Sequence, residues 1–69
     1  GGSDGLFAYY EIGKNLSKLI KPKGLVLLEI GYLQEIEVID ILRSFNFKNV
    51  AIEKDLSNIT RCLAFSLEG

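Results

Sequence analysis

Apolar residues recur along this chain first at helical spacing, then in an unbroken run, then at helical spacing again. Over residues 6–20, Leu6, Tyr9, Tyr10, Gly13, Leu16, Leu19 and Ile20 fall on one helix face. Ser3 or Asp4 stands just before, where a side-chain oxygen can accept a free N–H at the helix start. Pro22 cannot continue the helix, so Lys21-Pro22-Lys23-Gly24 predicts a turn. Residues 25–30, Leu-Val-Leu-Leu-Glu-Ile, are apolar at nearly every position. A strand with one wet face alternates, so this run predicts a central strand covered on both faces, ended by Gly31.

The pattern then returns to helical spacing over 33–45. Leu33, Ile36, Ile39 and Leu42 make one stripe, widened by Val38, Ile41 and Phe45, with Gln34, Glu35, Glu37, Asp40 and Arg43 opposite. Acids early and Arg43 late suit the helix dipole. Asn46 stands where a left-handed residue is expected after the helix. A strand follows over 49–54, Val50 and Ile52 on one side and Ala51 and Glu53 on the other. After a short loop at 55–59, residues 60–67 predict a last strand, both faces of which look at least half buried. The order is α-β-α-β-β. The strand–helix–strand unit makes 25–30 and 49–54 parallel, and the last strand must run antiparallel to its predecessor. An apolar strand left at a sheet edge invites aggregation, so a neighbouring strand outside these residues is expected.

Composition narrows the function. The chain has 69 residues, room for one small domain, with one cysteine, no histidine and a net charge of −1. A disulfide within the chain and a usual zinc site are excluded. The scattered basic residues make no footprint for nucleic acid, and no run reaches the ~20 apolar residues of a membrane span. One unpaired cysteine and no secretion signal point to the cytoplasm. The absence of methionine implies that the chain does not include its own translation start.

Candidate chemistry is sparse. The Gly1-Gly2-Ser3-Asp4-Gly5 start lacks the spacing of a dinucleotide fingerprint and suits a helix-capping loop. Glu29, the charged residue in the most apolar strand, lies near the strand end where open α/β sheets hold ligands; the plainer reading is a buried carboxylate satisfied by a loop N–H or a lysine. Tyr9 and Tyr10 read as core residues with hydroxyls at the boundary. Asp55 and Arg61 flank the final turn as a local ion pair, and Cys62 reads as a small core residue with an inert thiol. Neither a nucleophile–base pair nor a metal cluster nor paired carboxylates can be assembled.

Three stretches together resemble a known family. Gly1-Gly2-Ser3-Asp4-Gly5-Leu6 with Tyr10 is similar to a GG-x-DGL-x-x-Y segment, Lys21 to Tyr32 with Gln34 to LKPGGLLLLEIGYxQ, and Phe47 to Arg61 to GFxxVxxxKDLxGxxR. In this order they resemble the C-terminal part of HemK-type methyltransferases. These enzymes methylate the side-chain amide of a glutamine in peptide-chain release factors, with S-adenosylmethionine (SAM) as donor. The resemblance runs from Gly1 to about Leu67 and implies that Gly1 to Asp4 are native.

It departs at Lys23 and Asn46, where glycine is common, and at Ser57-Asn58-Ile59, which replaces a glycine-containing turn. Leu67-Glu68-Gly69 matches nothing in the family pattern and reads as a vector-derived tail. The family's glycine-rich SAM loop, its ribose-binding acid and its Asn-Pro-Pro-Tyr motif all lie upstream, so no catalytic or cofactor-binding residue is carried over. The substrate-cleft rim implied by the resemblance comprises Asp4, Gly5, Leu6, Glu29, Gly31 and Tyr32.

The fold implied is the last part of a Rossmann-like α/β SAM-methyltransferase sheet. Its three strands come in the order 25–30, 60–67, 49–54, the middle one antiparallel. The free edge of 25–30 would receive the strand carrying the absent motif. Residues 1–69 are then one partial domain, inactive alone, binding no cofactor, whose parent acts on a release factor. The alternative is a non-enzymatic α/β module that forms a homodimer through the same edge.

Overall fold

The computed structural model describes residues 3–68, and side chains from Leu6 onward. Helix α1 spans Ser3–Leu19, strand β1 Leu25–Glu29, helix α2 Glu35–Arg43, strand β2 Phe47–Lys54 and strand β3 Thr60–Leu67. The sheet order is β1-β3-β2. Both outer strands pair antiparallel with β3, which makes them parallel to each other. The α/β class, the element order and the insertion of the last strand are all as expected from sequence.

Direct partners across an antiparallel ladder point to the same face. Val26, Leu28, Leu63, Phe65 and Leu67 therefore share one face. The core forms there, from Val26, Ile30, Leu63, Phe65, Leu67 and Phe47 of the sheet with Val38, Ile41 and Leu42 of α2. Leu6, Tyr9, Leu16 and Ile20 bring α1 against it. Gly13 is the close contact between helices, since a Cβ there would lie 2.7 Å from the Phe45 ring.

The other face holds Leu25, Leu27 and Glu29 of β1 beside Ser66, Ala64 and Cys62 of β3. Leu25 and Leu27 are 71% and 76% exposed. The expectation of a strand covered on both faces is therefore not met by the described residues: β1 is buried on one face only. Cys62 is half-buried on this open face rather than in the core. Glu29 is likewise exposed and not a buried carboxylate.

Several boundaries differ from those read in the sequence. Helix α1 begins at Ser3, so Ser3 and Asp4 lie inside it and the position that would cap it is outside the described residues. Strand β2 begins two residues early because Phe47 is needed in the core, where it is 1% exposed. A register shift between Asn49 and Ala51 leaves Val50 in a bulge. Asn49 spans it, its Nδ2 donating to the carbonyls of Ala51 and Ala64, both at 3.0 Å. That bulge breaks the simple alternation expected for Val50 and Ile52.

Among the described residues, four other than glycine have positive φ: Lys23 (69°), Leu33 (59°), Asn46 (70°) and Asn58 (66°). Three are the positions where the sequence departs from a family glycine or glycine-containing turn. Asn46 confirms the left-handed residue after α2, and its carbonyl accepts from Glu68 N–H at 2.8 Å. Asparagine tolerates this backbone, whereas lysine carries a Cβ penalty of about 1–2 kcal/mol. Lys23→Gly is thus expected to stabilise the chain by about 0.5–1 kcal/mol after the greater unfolded-state entropy of glycine is deducted, read as a higher urea midpoint.

Candidate functional site

The carboxyl ends of β1 and β2 lie at the same end of the sheet, with the start of β3 between them. Glu29, Cys62 and Glu53 form a row across the open face there. The backbone of β1 runs on past Glu29, and Ile30 N–H donates to Arg61 O at 2.9 Å. Gly31 to Gln34 then close a turn. Gln34 N–H donates to Gly31 O at 3.2 Å, and Gly31 N–H donates to Gln34 Oε1 at 3.1 Å. A Cβ on Gly31 would sit 2.5 Å from that Oε1, so the residue's small size permits the double lock.

The turn presents side chains outward. Tyr32 is 63% exposed and Leu33 65%. Ile36, in the first turn of α2, is 74% exposed. The sequence pattern placed Leu33 and Ile36 in the buried stripe; the structure begins that stripe at Val38. Gln34 is the N-cap of α2, so Leu33 lies outside the helix, and the face of α2 that meets the core carries Val38, Ile41 and Leu42 while Ile36 stands on an adjacent face. The acids Glu35 and Glu37 in the first turn were the signal for the later start.

Of the expected rim, Glu29, Gly31 and Tyr32 lie together at this end and are exposed. Leu6 packs against the core and lines a cavity of about 230 Å³ between the helices, with Tyr10, Glu37, Asp40 and Ile41. Asp4 and Gly5 are in the first turn of α1, and their side chains lie outside the described residues. Tyr9 links α1 to β1: its hydroxyl donates to Glu29 O at 3.1 Å. Tyr10, expected in the core, is half exposed and meets Phe45 edge-on at a centroid distance of 6.4 Å.

The β2–β3 connection is organised by Asp55. Its Oδ1 accepts from Ser57 N–H at 2.8 Å and Ile59 N–H at 3.0 Å, and its Oδ2 from Arg61 Nε at 2.8 Å. The expected ion pair is therefore present, and it is structural. The Ile59 N–H first, and the Arg61 guanidinium next, hold the Asp55 carboxyl below its ordinary range. A lowered folded-state pKa means stability present above the unfolded value of about 3.9 and lost as the pH falls through the folded one. Acid unfolding followed by circular dichroism is expected to show that loss below about pH 4, and Asp55→Asn to flatten it.

Among the described residues, no group of three or more His, Cys, Asp or Glu is arranged to hold a metal. Nor, among the same residues, is any helix long and apolar enough to cross a membrane.

The sequence has relatives of known name. It is 38% identical over 63 residues to a bifunctional methyltransferase of Rickettsia conorii, covering 91% of this chain and 12% of that protein. It is 41% identical over 63 residues to a release factor glutamine methyltransferase of Clostridium botulinum, covering 91% and 22%. It is 41% identical over 61 residues to the protein of the same name in Caulobacter vibrioides, covering 88% and 21%. The resemblance read from the three motifs thus holds over about nine-tenths of the chain, which spans less than a quarter of these relatives. Neither a family model nor a solved structure matches the chain.

Proposed function

We propose that this segment completes the sheet of a Rossmann-like, SAM-dependent methyltransferase domain acting in the cytoplasm on a glutamine side chain of a peptide-chain release factor. The observation that carries the reading is the likeness to release factor glutamine methyltransferases over nearly the whole chain. The inserted antiparallel β3 supports it, being the arrangement the resemblance implied. So does the uncovered apolar surface at Leu25 and Leu27, which asks for more protein.

The residues described here do not suit the cofactor. The cavity between α1 and α2 is about 230 Å³, below the roughly 300–1,000 Å³ of small-molecule sites, and it has no glycine-rich loop to approach a nucleotide. SAM therefore belongs to the rest of the domain, where it supplies the methyl group. The part played by this segment is to hold the sheet together and to form one rim of the cleft, from Asp4, Gly5, Leu6, Glu29, Gly31 and Tyr32. Alone it is inactive.

Fragment complementation tests this. The Clostridium botulinum relative, cut to lack the region matched by this chain, is mixed with the 69-residue chain, SAM and purified release factor. Methyl transfer is expected from the mixture and from neither part alone; a mixture with no transfer, alongside an active intact relative, would overturn the reading.

A second reading, a module that self-associates through β1, is favoured by the free edge. The Gly24–Leu67 and Ile30–Arg61 bonds fix the alternation of the ladder, so Leu25, Leu27 and Glu29 direct their N–H and C=O groups away from β3. Light scattering at high concentration separates the readings, a strict monomer excluding edge pairing.

A further inference from the structure

We propose that the turn at 31–34 and the first two turns of α2 form a docking surface for the protein substrate, taking a segment in which an apolar side chain stands beside a lysine or arginine. This rests on the methyltransferase reading and adds to it the place and chemistry of substrate contact.

Three observations carry it. The first is the exposure of Tyr32, Leu33 and Ile36, three large apolar residues within five positions, at the end of the sheet and beyond the open face. The second is the backbone of Leu33. Its φ of 59° costs a leucine about 1–2 kcal/mol, and the fold gains no burial in return because the side chain stands in solvent. At two of the three other positive-φ positions the chain uses asparagine, which suits this backbone. A leucine kept there, in a turn locked by Gln34, is a local conflict of the kind found where a side chain serves binding.

The third observation selects the occupant. Between Gly31 and Leu42 the sequence has three acids, Glu35, Glu37 and Asp40, and no basic residue. Glu37 and Asp40 line the cavity beside Leu6, Tyr10 and Ile41. Ile36 and Asp40 are four residues apart on α2 and so share a helix face. An apolar contact at Leu33 and Ile36 therefore leads along the helix into a cavity with two carboxylates, an aromatic ring and aliphatic walls. A lysine or arginine fits that composition, its stem against Leu6 and Ile41 and its charge towards Glu37 and Asp40. Asp40 is held only loosely by Arg43, at 3.9 Å with both side chains largely exposed, so a stronger cation can displace it. The rest of the parent domain is instead assigned the β1 edge and the open face, which lie elsewhere.

The test titrates purified release factor into the isotope-labelled 69-residue chain and follows backbone amide signals by NMR. Saturable shifts are expected at Tyr32, Leu33, Ile36, Glu37 and Asp40. Leu33→Asn combined with Ile36→Ser is expected to weaken binding at least tenfold while the chain remains folded, since asparagine accepts the backbone that leucine resists. Glu37→Gln with Asp40→Asn is expected to weaken binding severalfold and to reduce its dependence on salt. Shifts confined to Leu25, Leu27 and the β1 edge, or binding unchanged in the Leu33/Ile36 variant, would overturn the surface and leave the methyltransferase reading standing. Absence of binding to the chain alone, with a complemented enzyme that methylates normally, would overturn it also. Failure of complementation bears on the parent activity, whereas the amide shifts are read without it.

Discussion

Replacing Phe65 by alanine is expected to unfold the chain in water at room temperature. Phe65 is 0% exposed, lies in the middle of the central strand, and pairs with Val26 on one side and Asn49 on the other. Truncating a fully buried phenylalanine costs about 3–5 kcal/mol, part of it for the cavity that the neighbours cannot fill. A chain of this length has roughly 3–10 kcal/mol of stability to lose. With one cysteine, the chain has no internal disulfide to limit the unfolded state, and among the described residues the core draws on only nine buried apolar side chains. One such truncation therefore takes away most or all of the margin. Far-UV circular dichroism and amide dispersion in NMR are the readouts; Phe65→Leu, which keeps most of the volume, is expected to remain folded with a loss of about 1–1.5 kcal/mol. A folded Phe65→Ala protein with an unchanged urea midpoint would mean that β3 is not the centre of the core. Leu56→Ala provides the contrast. That side chain is fully exposed at the β2–β3 turn, and the change should stay within about 0.5 kcal/mol.

The same contrast explains what could be read from the sequence. Residues 60–67 gave the bounds of β3 because turn-forming residues flank a run of strand formers, and Pro22 with Gly24 marked the gap between α1 and β1. Asn46 gave the left-handed position after α2 because few residue types tolerate it. The sequence pattern misled at Leu25, Leu27, Leu33 and Ile36, and for one physical reason. An apolar residue records that its side chain is to be covered, without recording by what. Within α2 the spacing alone could not tell the stripe that meets β2 and β3 from an adjacent one that meets nothing in the described residues. Lys23 and Leu33 were illegible for a different reason: neither type announces positive φ, so their backbone follows from the closing bonds of the turns, Gly24 N–H to Lys21 O and Gln34 N–H to Gly31 O. Glu29 was placed at the right end of its strand but read as buried, because it was read with the apolar residues around it, although β-strand alternation puts it on the open face with Leu25 and Leu27.

Proline at position 27 is expected to separate folding of the segment from its assembly. The N–H of Leu27 points away from β3, so proline there removes no bond of the sheet, and the side chain it replaces is 76% exposed. Leu28 lies one residue on in the ladder; its N–H faces Leu63, and Leu28→Pro breaks the central pairing. The isolated Leu27→Pro chain is therefore expected to keep its circular dichroism spectrum and to lose no more than about 1 kcal/mol, while Leu28→Pro loses about 3 kcal/mol or more. In the complementation assay the order changes. An incoming strand on the β1 edge needs the outward N–H and C=O groups of Leu25, Leu27 and Glu29, and a proline in the middle of that row blocks it. Leu27→Pro is then expected to reduce recovered methyl transfer at least a hundredfold, although the chain is folded. Leu27→Glu, which keeps the backbone donor and spoils only the open face, is expected to fall between the two. Full recovery with Leu27→Pro would show that the rest of the domain does not pair with β1, and the surface left uncovered at Leu25 and Leu27 would then have to be explained by self-association of this chain.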